Sequence, residues 1–211
     1  MSWRLASRLS VITLAFLVVM VVLLLQSPQA LSGLFRSIVP GASQPTLQGT
    51  DLGGTPAPDF RLNDQFGAPI SLSQFKGKPV ILTFLYTHCK TICPITAEKL
   101  HLVMQSLGPE AQHVAVVAVS TDPKNDTTAA ALAFSQTHRM VDYWHFLTGS
   151  RDTLASVWSA YSVYAQPDSS GAVSHSTGLY VIDKQGHERV FLGDDFTPSE
   201  VTADLKVLLN E

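Results

Sequence analysis

Hydrophobic residues crowd the start of the chain. From Leu9 to Leu25 no charge occurs, and Val11 to Leu25 is almost continuously aliphatic. A helical span needs roughly 17–25 apolar residues at about 1.5 Å each, so the run predicts one transmembrane helix over 9–25. No polar face interrupts it, as one would in a core helix at a protein surface. Arg4 and Arg8 precede it, and the positive-inside tendency assigns the short N-terminus 1–8 to the cytoplasm. A cleaved signal peptide is the rival reading, but Pro28-Gln29-Ala30, the nearest cleavage candidate, puts proline at a poor place. Residues 26–55 then read as a flexible linker punctuated by glycine, proline and serine.

From Pro56 to Glu211 the pattern changes to alternating strands and helices. Phe60–Leu62 and Ile70–Leu72, separated by Asn63-Asp64-Gln65-Phe66-Gly67, predict an opening hairpin. Pro79–Tyr86 is an unbroken apolar run of strand length, the pattern of a strand buried on both faces. Pro94–Leu107 predicts a helix with Ile95, Leu100, Val103, Met104 and Leu107 on its buried stripe. A second buried strand over His113–Ser120, a helix over Thr127–His138, a strand at Trp144–Leu147 and a helix over Arg151–Ala160 follow. Gly178–Asp183 and Glu188–Leu192 flank Lys184-Gln185-Gly186 and predict a second hairpin. Thr197-Pro198-Ser199-Glu200 supplies a cap, a first-position proline and a capping-box glutamate for a last helix facing inward through Val201, Leu205 and Leu208. The order implies an α/β domain over 56–211, a thioredoxin-like mixed sheet flanked by helices with an extra N-terminal β-hairpin, preceded by the transmembrane helix.

Composition narrows the function. The chain has 211 residues, 45% hydrophobic and 15% charged, which excludes a disordered or collagen-like protein. Residues 1–50 carry three arginines and no acid. The rest carry 11 basic and 17 acidic residues, a net of −6. An acidic outer domain excludes a basic nucleic-acid binder. With two cysteines, a multi-disulfide scaffold is excluded as well.

Those cysteines, Cys89 and Cys93, stand where the first buried strand turns into its helix. Amide N–H groups and the positive end of the helix dipole stabilise a thiolate there, and Lys90 adds positive charge. Positions four apart meet within about one helical turn, so the sulfurs can converge on one metal or bond to each other. As a structural disulfide the pair closes too small a loop to constrain the unfolded chain much.

The flanking residues carry a resemblance. Phe84-Leu85-Tyr86-Thr87-His88-Cys89 with Cys93-Pro94, then Val119-Ser120-Thr121-Asp122-Pro123 with Asp126-Thr127, Tyr161-Ser162-Val163-Tyr164, and His175-Ser176-Thr177-Gly178-Leu179-Tyr180 resemble the Sco/SenC family. These are membrane-anchored, thioredoxin-like copper-binding proteins of cytochrome c oxidase assembly. The motifs run in order through 56–211. Many members have Pro-Asp after the first cysteine, where Lys90-Thr91 stands here. The resemblance implies one copper ion, Cu(I) or Cu(II), held by Cys89, Cys93 and His175. Two thiolates and an imidazole suit that metal. His175 lies 82 residues beyond Cys93, so no local spacing finds it.

Other candidates are weaker. His88 adjoins Cys89 but points to the opposite face of an extended chain. His101 lies about 12 Å along the helix from Cys93. His113, His138, His145 and His187 read as solvated, as do Asp122, Asp126, Asp194 and Asp195, which could also line the site's mouth. The leading expectation is a carrier that delivers copper to the dinuclear copper centre of cytochrome c oxidase. Its partners would be the copper-bearing subunit and a periplasmic copper donor or thiol reductant, its location a bacterial inner membrane with the C-terminal domain outside the cytoplasm. The alternative is a thiol–disulfide oxidoreductase in which Cys89 and Cys93 form the redox-active disulfide and reduce that centre's cysteines. Against a general oxidoreductase stand the three residues between the cysteines and the lack of proline between Pro167 and Pro198. Against a peroxidase stands the lack of a Pro-x-x-x-Thr-x-x-Cys arrangement around Cys89.

Overall fold

A computed structural model describes residues 46–167 and 173–211, with Val19 the one described position before them. The expected anchor over 9–25 therefore lies outside the described residues apart from Val19. Among the described residues no helix is long and apolar enough to cross a membrane.

Among the described residues, ten strands and four α-helices follow one another. They are β1 (Thr50–Pro56), β2 (Arg61–Asn63), β3 (Pro69–Ser71), β4 (Val80–Leu85), α1 (Ile92–Leu107), β5 (Ala115–Ser120), α2 (Thr128–Thr137) and β6 (Trp144–Leu147), then α3 (Arg151–Ala160), β7 (Ala165–Pro167), β8 (Val173–His175), β9 (Leu179–Ile182), β10 (His187–Leu192) and α4 (Pro198–Asn210). Six strands form one sheet in the order β1-β10-β9-β4-β5-β6. β4, β5 and β6 run parallel, whereas β9, β10 and β1 add antiparallel neighbours. The pairs β2–β3 and β7–β8 are separate hairpins.

Every residue of β4 and β5 is buried, because each strand has neighbours on both edges and apolar layers on both faces. Ile81 and Leu85 enter one layer with Val116 and Ala118, against α1, α2 and α4. Leu82 and Phe84 enter the other with Val117 and Val119, against the first hairpin and α3. The period of two thus divides one apolar run between two cores. Helix starts follow their caps: Thr127 and Ser150 each accept a main-chain N–H, and Thr197 with Glu200 completes the capping box.

Several expectations need correction. α1 starts at Ile92 rather than Pro94, and Ile95 is 50% exposed; Cys93 and Ala97 take its place on the buried face. Residues 108–113 form a 3₁₀ turn, so β5 begins at Ala115. The segment read as linker ends in an edge strand, β1, whose register breaks between Asp51 and Thr55. Such a break discourages pairing with another chain. The β7–β8 hairpin has no counterpart among the expected elements.

Asp204 secures the entry to β1. Its Oδ1 accepts the Gln48 N–H at 2.8 Å, while buried Oδ2 has no partner among the described residues. Burial pushes this carboxyl up to about 6, the Gln48 N–H opposes the rise and Glu200 adds to it. The folded state therefore holds the proton more tightly than the unfolded chain, where the value is about 3.9, and stability declines as pH rises from about 4 to about 6. Relative to Asp204→Asn, the native protein should lose about 1 kcal/mol across that window once solvent screening is allowed for, or about 2–4 °C in Tm. Melting curves of the two proteins that stay parallel from pH 4 to 7 would refute this.

Candidate metal centre

Cys89 and Cys93 sit where β4, at its C-terminal end, passes into α1, the end of a parallel strand where α/β folds place ligands. The turn is short: Cys89 N–H donates to the Tyr86 carbonyl at 3.4 Å. Thr91 occupies the N-cap position of α1 and makes no side-chain cap bond. The sulfur of Cys89 does this instead, accepting the Cys93 N–H at 3.4 Å. A free amide of the first helical turn thereby meets an ionisable sulfur.

Both cysteines are buried and neither forms a disulfide. Cys89 is pushed down to about 4. The hydrogen bond from the Cys93 side chain is the foremost cause, burial opposes it, and N–H groups of Cys93 and Thr91 with the Thr91 hydroxyl add to it. Cys93 moves up, because its proton is held toward Cys89 and because it is buried. The pair therefore keeps one proton, on Cys93, and one thiolate, on Cys89.

His175 is delivered by β8, the strand missing from the sequence reading. Its Nδ1 lies 2.7 Å from the Ser176 carbonyl and its Nε2 lies 3.9 Å from Cys93 Sγ. Burial pushes the imidazole below its ordinary value, against the Ser176 carbonyl and the Cys89 charge, so it is neutral near pH 7. Nδ1–H then donates to Ser176 and leaves the Nε2 lone pair facing Cys93. Tyr86 packs its ring edge-on to the imidazole, with centroids 5.6 Å apart. Metal–sulfur and metal–nitrogen bonds of about 2.3 and 2.0 Å together reach about 4.3 Å, so one ion can bond to both Cys93 and His175. The donor set fits a soft metal.

The remaining candidates divide differently. His88 is exposed, and its ring forms a group with Asp122 and Asp126 whose ligand atoms all lie within 4.8 Å. The cysteines and His175 are more widely set. Both aspartates are buried, contrary to the expectation that they face water. Asp122 accepts from the Asn125 side chain at 2.7 Å and Asp126 from Thr87 and Ser120, so neither carboxylate is free. Asp194 and Asp195 are exposed, as expected. His101 is buried edge-on against Tyr143, away from the cysteines. His113 is exposed, whereas His138, His145 and His187 are part-buried beside Glu98, Asp64 and Asp183. Tyr86, Ser176 and the Asp126 contacts were not foreseen as parts of the site; their motifs were visible, their bonds were not.

Comparison with known proteins bears on the family and the fold. The family model described as SCO1/SenC matches residues 49–210. The SCO1 protein homolog of Bacillus subtilis is 27% identical over 153 residues, covering 70% of this chain and 79% of that protein. The mitochondrial protein SCO2 homolog of Mus musculus is 31% identical over 157 residues, covering 70% of this chain and only 60% of its own length. Among solved structures, ScoI of Bradyrhizobium japonicum with copper bound superposes with a TM-score of 0.66 at 30% identity, covering 74% of this chain and all of that one.

The cysteine pair makes its own prediction. A depressed value means the Cys89 thiolate persists as pH falls and is lost only near pH 4, whereas a free thiol is protonated below about 8.5. In reduced, chelator-treated protein, thiolate absorbance at 240 nm should report about one thiolate at pH 6, and Cys89→Ser should abolish it. Two cysteines titrating together near pH 8–9 would show that no such asymmetry exists.

Proposed function

The chain belongs to the SCO1/SenC family, and on that premise we propose that it is a membrane-anchored copper carrier for cytochrome c oxidase assembly. Cys89, Cys93 and His175 hold one copper ion and pass it to the dinuclear copper centre of the oxidase. The observation that carries this reading is the 3.9 Å approach of His175 Nε2 to Cys93 Sγ across 82 residues of sequence, with Nδ1 already engaged. Copper is the cargo here. The protein's own contribution is to keep one sulfur ionised, to hold the imidazole neutral with its lone pair inward, and to exclude water by burying both cysteines. Transfer proceeds by exchange of these ligands for cysteines of the acceptor.

The asymmetric thiol pair supports a second reading. Cys89 thiolate attacks a disulfide in the acceptor, forming a mixed disulfide and releasing one acceptor thiolate. Cys93 then loses its proton and displaces the second, so the acceptor leaves as a dithiol and Cys89–Cys93 as a disulfide. The two readings share a reduced pair and differ in their need for His175.

Reduced domain should bind one copper, and Cys89→Ser or Cys93→Ser should abolish binding. His175→Ala should weaken Cu(II) more than Cu(I), which persists on two sulfurs. In cells, a carrier requires His175→Ala to impair oxidase copper content nearly as badly as Cys89→Ser, with partial rescue by added copper through mass action. Full oxidase assembly with His175→Ala at limiting copper would favour the reductase instead.

The anchor rests on residues 9–25 and the arginines before them. Full-length protein in native membranes should resist salt and yield to detergent; release by salt, or a mature N-terminus beyond Ala30, would refute it.

A further inference from the structure

Asp126 is 4% exposed and lies just before α2, with no place in the expected ligand set. Its Oδ1 accepts both the Thr87 N–H at 2.9 Å and the Thr87 hydroxyl at 2.7 Å, and its Oδ2 accepts the Ser120 hydroxyl at 2.6 Å. Ser120, the last residue of β5, is itself held: its Oγ accepts the Asp122 N–H at 3.1 Å and its carbonyl accepts the Trp158 indole N–H at 3.0 Å. One buried carboxylate therefore joins the cysteine turn, the end of β5 and the start of α2.

The turn needs such a partner. Among the described residues, the other hydrogen bonds of residues 87–91 stay within the turn or reach the first residues of α1. The two bonds from Thr87 are the hydrogen bonds that tie it to another element, while Cys89 packs into the core. Thr87 stands two residues before Cys89, so its placement sets where the sulfur lies relative to the Cys93 N–H and, through Cys93, to His175.

We infer that Asp126 is a positioning residue of the copper centre, holding Thr87 and thereby the Cys89 turn against the ends of β5 and α2. The inference rests on the copper reading for its consequence and on the hydrogen bonds alone for its mechanism. A cation held by His88, Asp122 and Asp126 is the competing use of the same carboxylate. Both aspartates already accept donors from the protein, and Asp126 accepts three, so the clamp accounts for them without an ion.

The test separates position from charge and from copper itself. In copper-free reduced protein, Asp126→Ala and Thr87→Val should each speed amide exchange across residues 87–91 by about tenfold or more, with the rest of the sheet protected as before. Both should weaken Cu(II) binding by about 10–100-fold, the range seen when an outer partner of a metal ligand is lost, and shift the thiolate-to-copper absorption band. Asp126→Asn keeps an oxygen for Thr87 and should cost less than tenfold. Combined with Asp126→Ala, Thr87→Val should add little. If Asp126→Ala does not fold, Thr87→Val carries the same test, since it removes one hydroxyl from a part-exposed residue. Unchanged exchange in the folded variants overturns the clamp, and so does an Asp126→Asn defect as large as that of Asp126→Ala. Failure of the native protein to bind copper would overturn the functional reading, while the exchange measurement still decides the clamp.

Discussion

The sulfur of Cys89 accepting the Cys93 N–H is the contact on which the centre depends. The first turn of any helix leaves amides without intrahelical partners, and a side-chain oxygen at the N-cap ordinarily takes one. Thr91 holds that position in α1 without making the bond. A thiolate takes its place, and the requirement of the helix for an acceptor adds to the Cys93 side-chain hydrogen bond in keeping that thiolate ionised in a buried place. The chemistry of the pair and the start of α1, which fills one core layer with Ala97, Leu100, Met104 and Leu107, are thus one interaction seen from two sides.

β4 brings the remaining parts to the same point. It is buried on both faces, and its one polar side chain, Thr83, donates its hydroxyl to the Gly178 carbonyl at 2.9 Å. Gly178 lies three residues beyond His175, at a φ of 139° that favours glycine, and a Cβ there would stand 2.4 Å from the Phe191 ring. The strand that ends in the cysteine turn therefore also fixes the segment returning from His175 into β9. Two distant parts of the sequence reach one site because both are tied to one rigid strand, which limits how far the imidazole and the sulfurs can drift apart.

Local chemistry made most of this legible in the sequence. The apolar runs in Pro79–Tyr86 and His113–Ser120 predict β4 and β5, the capping box predicts α4, and Trp144–Leu147 and Arg151–Ala160 match the observed bounds. Helix α1 starts two residues before the expected Pro94, because a proline is tolerated anywhere in the first turn, where its missing N–H has no intrahelical partner, and here it is the third residue. The β7–β8 hairpin was missed because strands of three residues, one of them mostly exposed, carry no periodic signal. That omission matters, since β8 places His175; only its resemblance motif marked it as a ligand. The burial of Asp126 was beyond reach for a related reason. An acid in a turn reads as solvated until the donors around it are known, and Thr87 and Ser120 come from two other elements.

Lys90-Thr91, where the chain departs from the family pattern, bears on the ionisation of Cys89. Where relatives of the resembling family carry an acid at the second of these positions, this chain has a hydroxyl whose Oγ1 lies 3.9 Å from Cys89 Sγ. A carboxylate so near a thiolate disfavours the ionised sulfur by like-charge repulsion, whereas a hydroxyl donates to it. It also competes with the sulfur for the free amides of α1, because aspartate is the stronger N-cap. Threonine leaves those amides to Cys89, and exposed Lys90 adds a charge of the sign that favours its ionisation. This version of the turn thus shifts the electrostatic balance toward a standing thiolate on Cys89, which both copper capture and attack on a disulfide require. What then separates the two chemistries is the presence of a neutral imidazole beside Cys93, and that is set by β8 rather than by the turn.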